Sequence, residues 1–285
     1  MLKPLVLDGK KPGGQLMSTT AVENWPGNIS IMGPELMMNM REHAKHFGAE
    51  YLEQTVTKVD FTVRPFLIWT DGDVQLEAEA VIVATGASPN KLGCPGEEEY
   101  WGRGVSSCAV CDGAFFKDRK VLVVGGGDVA MENASFLSKF ASEITVVHIL
   151  DELTASKPLQ KRVLDDSKIT VIYGSTVSEI KGDGNMVTGV VVTEQNSGQT
   201  REIPVDGVFV SIGMRPNTQP FEGQLELGKG GYLVVTDHTK TSVEGVFAAG
   251  DVHDYRYRQA ITSSGSGCMA AMDAEAYLQK LGLDE

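Results

Sequence analysis

Four stretches of this chain are almost wholly apolar, and all four run into glycine. Ala80-Val81-Ile82-Val83-Ala84 is followed by Thr85-Gly86, Lys120-Val121-Leu122-Val123-Val124 by Gly125-Gly126-Gly127, Val208-Phe209-Val210-Ser211-Ile212 by Gly213, and Val246-Phe247-Ala248-Ala249 by Gly250-Asp251. Apolar runs of this length predict strands buried on both faces, the signature of a parallel sheet. Leu5-Val6-Leu7-Asp8 predicts a shorter parallel strand ending in an acid. Ile144 to Val147, Lys168 to Tyr173, Gly189 to Thr193 and Gly207 to Ile212 complete a Rossmann-like sheet with a small antiparallel insertion. Residues 49 to 80 alternate instead, which predicts antiparallel strands at Thr55 to Phe61, Phe66 to Thr70 and Val74 to Leu76 around a turn at Asp71-Gly72-Asp73. Helical spacing appears from Gly33-Pro34-Glu35 to about Phe47 with Leu36, Met40 and Ala44 on one face, from Ala130 to Phe140, and from Gln259-Ala260 to Leu281.

Two nucleotide-binding folds of similar design emerge from this pattern. The fold class is α/β, with two Rossmann-like, three-layer ββα domains, the second inserted in the first. Residues 1–88 and 217–285 form the first domain and residues 89–216 the second. The 285 residues suffice for two cores of ordinary size.

Composition narrows the function classes. A net charge of −13 argues against nucleic acid and acidic membrane surfaces as partners, and no apolar run approaches the roughly 18 residues of a membrane span. Four cysteines are too few for a disulfide scaffold. The first residues lack the apolar core and cleavage site of a signal peptide, so a cytoplasmic protein is expected.

The chemistry concentrates between Val105 and Met131. Cys108-Ala109-Val110-Cys111 runs directly into Asp112-Gly113, which places two thiols beside a carboxylate and a turn. Gly125, Gly127 and Ala130 then complete G-x-G-x-x-A after a buried strand, a turn that can cradle phosphate. C-x-x-C alone has many meanings, and G-x-G-x-x-A alone is weak. Zinc is one alternative, with Cys94 or Cys268 as further ligands, but a second close Cys or His pair is missing; both read more simply as buried or incidental thiols. His43 and His46 stand three apart on the first helix without such partners, which favours a solvated face.

Taken in order, the motifs resemble those of the low-molecular-weight, bacterial-type flavin-dependent thioredoxin reductases. Gly13-Gly14-Gln15-Leu16, Val22-Glu23-Asn24, Ala84-Thr85-Gly86, the Cys108 to Gly113 run, Gly125 to Ala130, Gly250-Asp251 and Arg258-Gln259-Ala260 occur in that family's order and spacing. The resemblance implies an FAD-binding domain built from both chain ends, an NAD(P)H-binding domain carrying the dithiol, a homodimer, and thioredoxin as partner. It assigns FAD contacts to Gly14, Gln15, Leu16, Asn24, Val56, Ala84, Thr85, Gly86, Gly250, Asp251, Arg258, Gln259 and Ala260. It assigns the nicotinamide dinucleotide to Gly125, Gly127, Asp128, Ala130 and His148. By the same resemblance Cys111 would be the flavin-proximal sulfur, Cys108 the one that attacks thioredoxin, and Asp112 the acid/base. Hinges between two domain orientations fall near Gly86 to Pro95 and Gly213 to Pro220.

Two departures from the family pattern carry expectations of their own. The sequence begins at what resembles the second strand, without the usual strand, G-x-G-x-x-G turn and helix, so a fragment or mis-started chain that binds FAD poorly is expected; a flavin-poor or non-catalytic descendant is the alternative. A yellow colour after purification separates these from a working flavoenzyme. The family also places arginines after its second dinucleotide strand, where this chain reads His148-Ile149-Leu150-Asp151-Glu152-Leu153-Thr154. A 2′-phosphate meets no arginine fork there, so preference for NADPH is not supported, and NADH or a protein donor such as ferredoxin or flavodoxin is the competing electron source.

Overall fold

The computed structural model describes residues 2–9, 11–19 and 21–283. Its chain divides into two compact units, one of Met1–Met17, Glu23–Ser88 and Met214–Glu285, the other of Ser18–Val22 and Pro89–Gly213. The sequence reading sets the later boundary at 216, whereas the second unit ends at Gly213. Among the described residues the helices are α1 (Gly33–His46), α2 (Ala109–Asp112), α3 (Asp128–Leu137), α4 (Lys157–Leu164) and α5 (Ala260–Lys280).

In the second unit a parallel sheet has the order Val105–Ser106, Gly207–Val210, Lys120–Val124, Glu143–Val147, Ile169–Ile172. Side chains alternate across it, and each set has its own cover. Val121, Val123, Ile144, Val146 and Phe209 pack with Met131, Ala134 and Leu137 of α3. Leu122, Val124, Val208 and Val210 pack with Val177, Ile180, Val190 and Val192. The latter four belong to an antiparallel sheet of Ser175–Gly182, Val187–Glu194 and Thr200–Pro204, which completes a helix, sheet, sheet stack. Each fully buried aliphatic side chain here contributes roughly 1.5–3 kcal/mol. The strand expected at Gly189 to Thr193 therefore lies in the antiparallel layer and not in the parallel sheet. Val190 and Val192 are buried while Val191 and Thr193 are only half-buried, the period of a strand covered on one face.

The first unit holds Leu5–Leu7 paired in parallel with Glu50–Leu52, and Val81–Val83 paired in parallel with Val246–Ala248. An antiparallel sheet of Val56–Asp60, Phe66–Thr70 and Gln75–Ala78 supplies the second layer. Phe61, Phe66, Phe221, Val83, Val246 and Ala248 form the core, with Leu7 and Val56 packed against it. Phe247 and Ala249 face Ala270 and Ala274 of α5, whose small side chains permit the close approach. One expectation needs correction: the run at Ala80 to Ala84 is not buried throughout. Val81–Val83 pairs on one edge only among the described residues, and Ile82 is 39% exposed.

α1 starts with Pro34 in its first turn and Glu35 beside it, and ends with His43, Lys45 and His46. This polarity suits the helix dipole. Leu36 is buried, Met40 and Ala44 are half-buried, and both histidines are exposed, each edge-on to the Phe47 ring.

Candidate active site: a dithiol, a glycine turn and a second nucleotide-type edge

The chain leaves the edge strand Val105–Ser106 and turns at once into α2. Cys108 is the N-cap of that helix, with φ −124° and ψ 99°, and its sulfur accepts the Cys111 backbone N–H at 3.2 Å. The Cys108 carbonyl accepts from Asp112 N at 3.1 Å, and the Cys108 N–H donates to Ser106 Oγ at 3.0 Å. A C-x-x-C spacing thus sets one sulfur at the N-cap and the other one helical turn on. The two are joined as a disulfide with Cα atoms 5.3 Å apart. Both cysteines and Asp112 are half-buried, while Val110 and Phe115 nearby are exposed.

The glycine turn is shaped by two close contacts. Gly125 has φ +134°, and a Cβ there would lie 2.4 Å from the Ser211 carbonyl oxygen; a Cβ on Gly126 would lie 2.5 Å from the His148 ring. Neither position admits a side chain. Gly127 is the N-cap of α3 without any side-chain cap, so the first amides of α3 suit a pyrophosphate. Ala130 is fully buried beneath the turn, and Asp128 Oδ1 accepts the Ser156 N–H at 2.7 Å. His148 is buried against Gly126, and burial holds its imidazole below the ordinary value. The residues assigned to the dinucleotide are therefore gathered around one turn, with His148 and Asp128 engaged in its support.

The segment that follows His148 is tied back to the same turn. The Gly126 carbonyl accepts from Thr154 N at 2.9 Å, Ala155 N at 3.0 Å and Thr154 Oγ1 at 3.2 Å. Ile149 and Leu150 remain about half exposed, at 53% and 49%, with Asp151 and Glu152 exposed beside them.

In the first unit, residues far apart in sequence meet in pairs. Gln15 Nε2 donates to the Ala87 carbonyl at 2.8 Å, from the short turn Gly14–Ser18 that also carries the half-buried Leu16. Asn24 Nδ2 donates to Gln259 Oε1 at 2.9 Å. Gln259 is the N-cap of α5, closing a capping box with Thr262 just before Ala260. Gly250 N donates to Ser266 Oγ at 2.9 Å, and Ser263 Oγ donates to Asp251 Oδ1 at 3.0 Å. Arg258 sits at φ +50° beyond the Asp254 turn. Val56 packs into the core cluster with Leu7.

The match to known proteins follows this geometry. The profile of the pyridine nucleotide-disulphide oxidoreductases matches residues 3–267. A thioredoxin reductase of Streptomyces clavuligerus is 49% identical over 287 aligned positions, covering 100% of this chain and 89% of its own. The solved thioredoxin reductase from Giardia duodenalis superposes with a TM-score of 0.89 at 43% identity, covering 98% of this chain and 91% of that one. The chain belongs to the thioredoxin reductases of the pyridine nucleotide-disulphide oxidoreductase family. The thioredoxin reductase from Streptococcus pyogenes MGAS5005 gives the same TM-score of 0.89 at 41% identity. Membership implies a flavin and a nicotinamide cofactor. No helix among the described residues is long and apolar enough to cross a membrane.

Two residues that hold this thioredoxin reductase's edges in place, Asn217 and Asn133, escape a reading of the sequence. Asn217 braces the Ala84-Thr85-Gly86 turn from both sides: its Nδ2 donates to the Thr85 carbonyl at 2.8 Å, its N to the Gly86 carbonyl at 2.9 Å, and its own carbonyl accepts from Thr85 Oγ1 at 2.7 Å. The Thr85 hydroxyl proton is therefore engaged within the protein. Asn133 Nδ2 donates to Ser211 Oγ at 2.8 Å in a buried bond that joins α3 to the end of Gly207–Val210. The only advance signal for Asn217 is its place in Arg215-Pro216-Asn217-Thr218, just after a strand-to-glycine ending. Nothing in the pattern singles out Asn133. Cys94 and Cys268 are free thiols: Cys94 is half-buried, its thiol pushed up to about 11 chiefly by burial, and Cys268 is exposed on α5.

Burial also raises the Asp251 carboxyl above its ordinary value of 3.8, opposed by the Ser263 hydroxyl. An acid whose folded value is raised binds its proton more tightly in the fold than in the unfolded chain. Its contribution is fully present below the unfolded value and is lost as pH rises through that value to the folded one. Asp251→Asn is accordingly expected to raise the unfolding midpoint of the flavin-free protein at neutral pH, and to leave it nearly unchanged at pH about 3. Thermal melts at the two pH values check this; an equal shift at both contradicts it.

Proposed function

We propose that this thioredoxin reductase carries its flavin as FAD, and passes an electron pair from a reduced nicotinamide or protein donor through the Cys108–Cys111 disulfide to thioredoxin. The observation that carries the proposal is the disulfide itself, one sulfur at a helix N-cap and the other one turn on, in the unit that also holds the glycine turn. The flavin's contribution is to deliver the electron pair that opens this disulfide. Gly14, Gln15, Leu16, Asn24, Val56, Ala84, Thr85, Gly86, Gly250, Asp251, Arg258, Gln259 and Ala260 would hold it. Exposed Ala84 and Thr85, half-buried Gln259 and Ala260 and the partly buried Asp251 carboxyl are the kind of donor and acceptor set that a polar ring and a ribityl chain need. Gly125, Gly127 and the first amides of α3 would hold the pyrophosphate of a nicotinamide dinucleotide, with Ala130, His148 and Asp128 supporting the turn.

The thiol steps follow from sulfur chemistry. After reduction Cys108 attacks one sulfur of the thioredoxin disulfide, forming a mixed disulfide and releasing a thioredoxin thiolate, which takes a proton. Asp112 serves as the proton carrier. The Cys111 thiolate then attacks the Cys108 sulfur, re-forming the intramolecular disulfide and releasing dithiol thioredoxin. Exposed Val110 and Phe115 leave the dithiol's surroundings open to a protein partner.

The electron donor is the open part of this reading. Exposed Ile149 and Leu150 offer nothing to a 2′-phosphate, so NADPH has no advantage over NADH, and reduced ferredoxin or flavodoxin is the alternative. Anaerobic addition of NADPH, NADH and reduced ferredoxin to the FAD-supplemented protein, followed by thiol counting at Cys108 and Cys111, tests both the donor and the route. No thiols with any donor contradicts the proposal. We further propose a homodimer in a reducing, cytoplasmic compartment. Met38 on α1 and Met269 and Met272 on α5 are exposed apolar groups in one unit, and four cysteines are too few for a disulfide scaffold. Sedimentation should give a dimer mass at micromolar concentration; a monomer contradicts it.

A further inference from the structure

Ser106 lies two residues before the dithiol, 9% exposed, on a strand fixed in register against Phe209 of the parallel sheet. Its Oγ accepts the Cys108 N–H at 3.0 Å, a Ser turn of the side chain onto the backbone two residues on. That N–H lies outside α2 and has no helical partner. Its direction fixes the peptide plane at Cys108, and with it where the Cys108 sulfur points. The sulfur then accepts the Cys111 N–H at 3.2 Å. Sheet, hydroxyl, backbone and sulfur form one chain of contacts.

We propose that Ser106 is a positioning residue for disulfide exchange, acting through the Cys108 backbone to keep the Cys108 sulfur at the α2 N-cap once the disulfide is open. The inference rests on the reading of Cys108 as the sulfur that attacks thioredoxin. In the disulfide the Cys111 N–H meets a neutral sulfur. After two electrons enter and the S–S bond breaks, the same N–H meets a thiolate, and a hydrogen bond to the charged form favours that form. The thiolate is the nucleophile, so holding this geometry keeps more of Cys108 reactive at neutral pH. Without the Ser106 oxygen the Cys108 peptide is free to rotate, and the N-cap contact loosens just when it matters.

The test uses the full chain reduced with dithiothreitol, freed of reductant and alkylated with iodoacetamide over a range of pH, the Cys108 adduct being followed by mass spectrometry. Ser106→Ala is expected to move the midpoint of the Cys108 profile upward by about one pH unit, and so to slow its alkylation near pH 7 by up to about tenfold. Ser106→Thr, which keeps the oxygen, is expected to follow the parent. The Cys268 profile, from the other unit, should not move. Superposable Cys108 profiles for Ser106→Ala and the parent overturn the proposal, and so do equal shifts in the Ala and Thr variants, since those would report packing alone. A variant-free arm covers the case in which Ser106→Ala does not fold: the Cys108 amide of the reduced parent should exchange with solvent at least about tenfold more slowly than an unbonded amide, and unprotected exchange overturns the proposal. The dithiol reading itself fails differently, when the parent's Cys108 and Cys111 both react like ordinary exposed thiols and neither is needed for thioredoxin reduction.

Discussion

Cys108→Ser is expected to lower thioredoxin reduction by about a thousandfold or more, because it removes the nucleophile of an exchange that has no other route. Delivery of electrons to the flavin should be untouched, since Cys108 takes no part in it. Cys111→Ser should be equally inactive in turnover for a different reason. Its Cys108 still attacks, but no second thiol remains to release the product. The two variants therefore separate in a cross-linking experiment. Offered a thioredoxin with one active-site cysteine, activated as a mixed disulfide with thionitrobenzoate, Cys111→Ser should form a covalent complex that survives a non-reducing gel. Cys108→Ser should form far less. The Cys111→Ser protein should also lack the long-wavelength absorbance of a thiolate against the flavin. Equal cross-linking by both variants, or parent-like turnover by either, contradicts the roles given to the two sulfurs.

The second large effect concerns the nucleotide. A Rossmann site tells NADPH from NADH at the end of its second strand, by a carboxylate for the 2′-hydroxyl or by arginines for the 2′-phosphate. In this chain that position carries Ile149 and Leu150, exposed, with Asp151 and Glu152 adding negative charge. A charge-assisted hydrogen bond is worth about 1.5–3 kcal/mol, so the absence of two amounts to about a hundredfold or more in affinity. The parent is expected to show no preference for NADPH. Ile149→Arg, Leu150→Arg and Thr154→Arg together should raise kcat/KM for NADPH by about a hundredfold, with little change for NADH. The structure adds a refinement: Thr154 Oγ1 donates to the Gly126 carbonyl at 3.2 Å, so the third substitution also removes a brace of the glycine turn. The double variant Ile149→Arg/Leu150→Arg should show most of the gain without that loss. Titration with adenosine 2′,5′-bisphosphate reads the same change as a dissociation constant, independent of the flavin. A parent that already favours NADPH with a low KM contradicts this argument.

What could be read in the sequence was whatever burial on both faces or a forced backbone makes visible. Lys120 to Val124 and Gly207 to Val210 stand out because both faces of the strand are covered, one by α3 and the other by the antiparallel layer. Gly125 and Gly126 stand out because the Ser211 carbonyl and the His148 ring leave no room for a Cβ. Cys108 and Cys111 are legible as a pair from their spacing, since an N-cap and the residue one turn on bring two sulfurs together, although their redox role rests on the motifs around them. Glu50–Leu52 was not legible: a short strand with one neighbour among the described residues shows too little pattern to register. The extent of the antiparallel layer was also missed, because Ser175–Gly182 mixes buried Val177 and Ile180 with half-buried or exposed Ser178, Glu179 and Lys181 across a bulge. The side chains that brace the site, Asn217, Asn133 and Ser106, act by hydrogen bonds to partners far away in sequence or to backbone. No periodicity announces such a bond.

The most direct test of the central claim is stoichiometric. The protein, supplied with FAD, a reduced nicotinamide or protein donor and an excess of oxidised thioredoxin under anaerobic conditions, is followed for donor consumed and thioredoxin thiols formed. Electron-pair transfer through the Cys108–Cys111 disulfide predicts about two thioredoxin thiols for each electron pair taken from the donor, and none above background in Cys108→Ser. Donor consumed without thiols, or thiols formed at the parent rate by Cys108→Ser, would contradict the account.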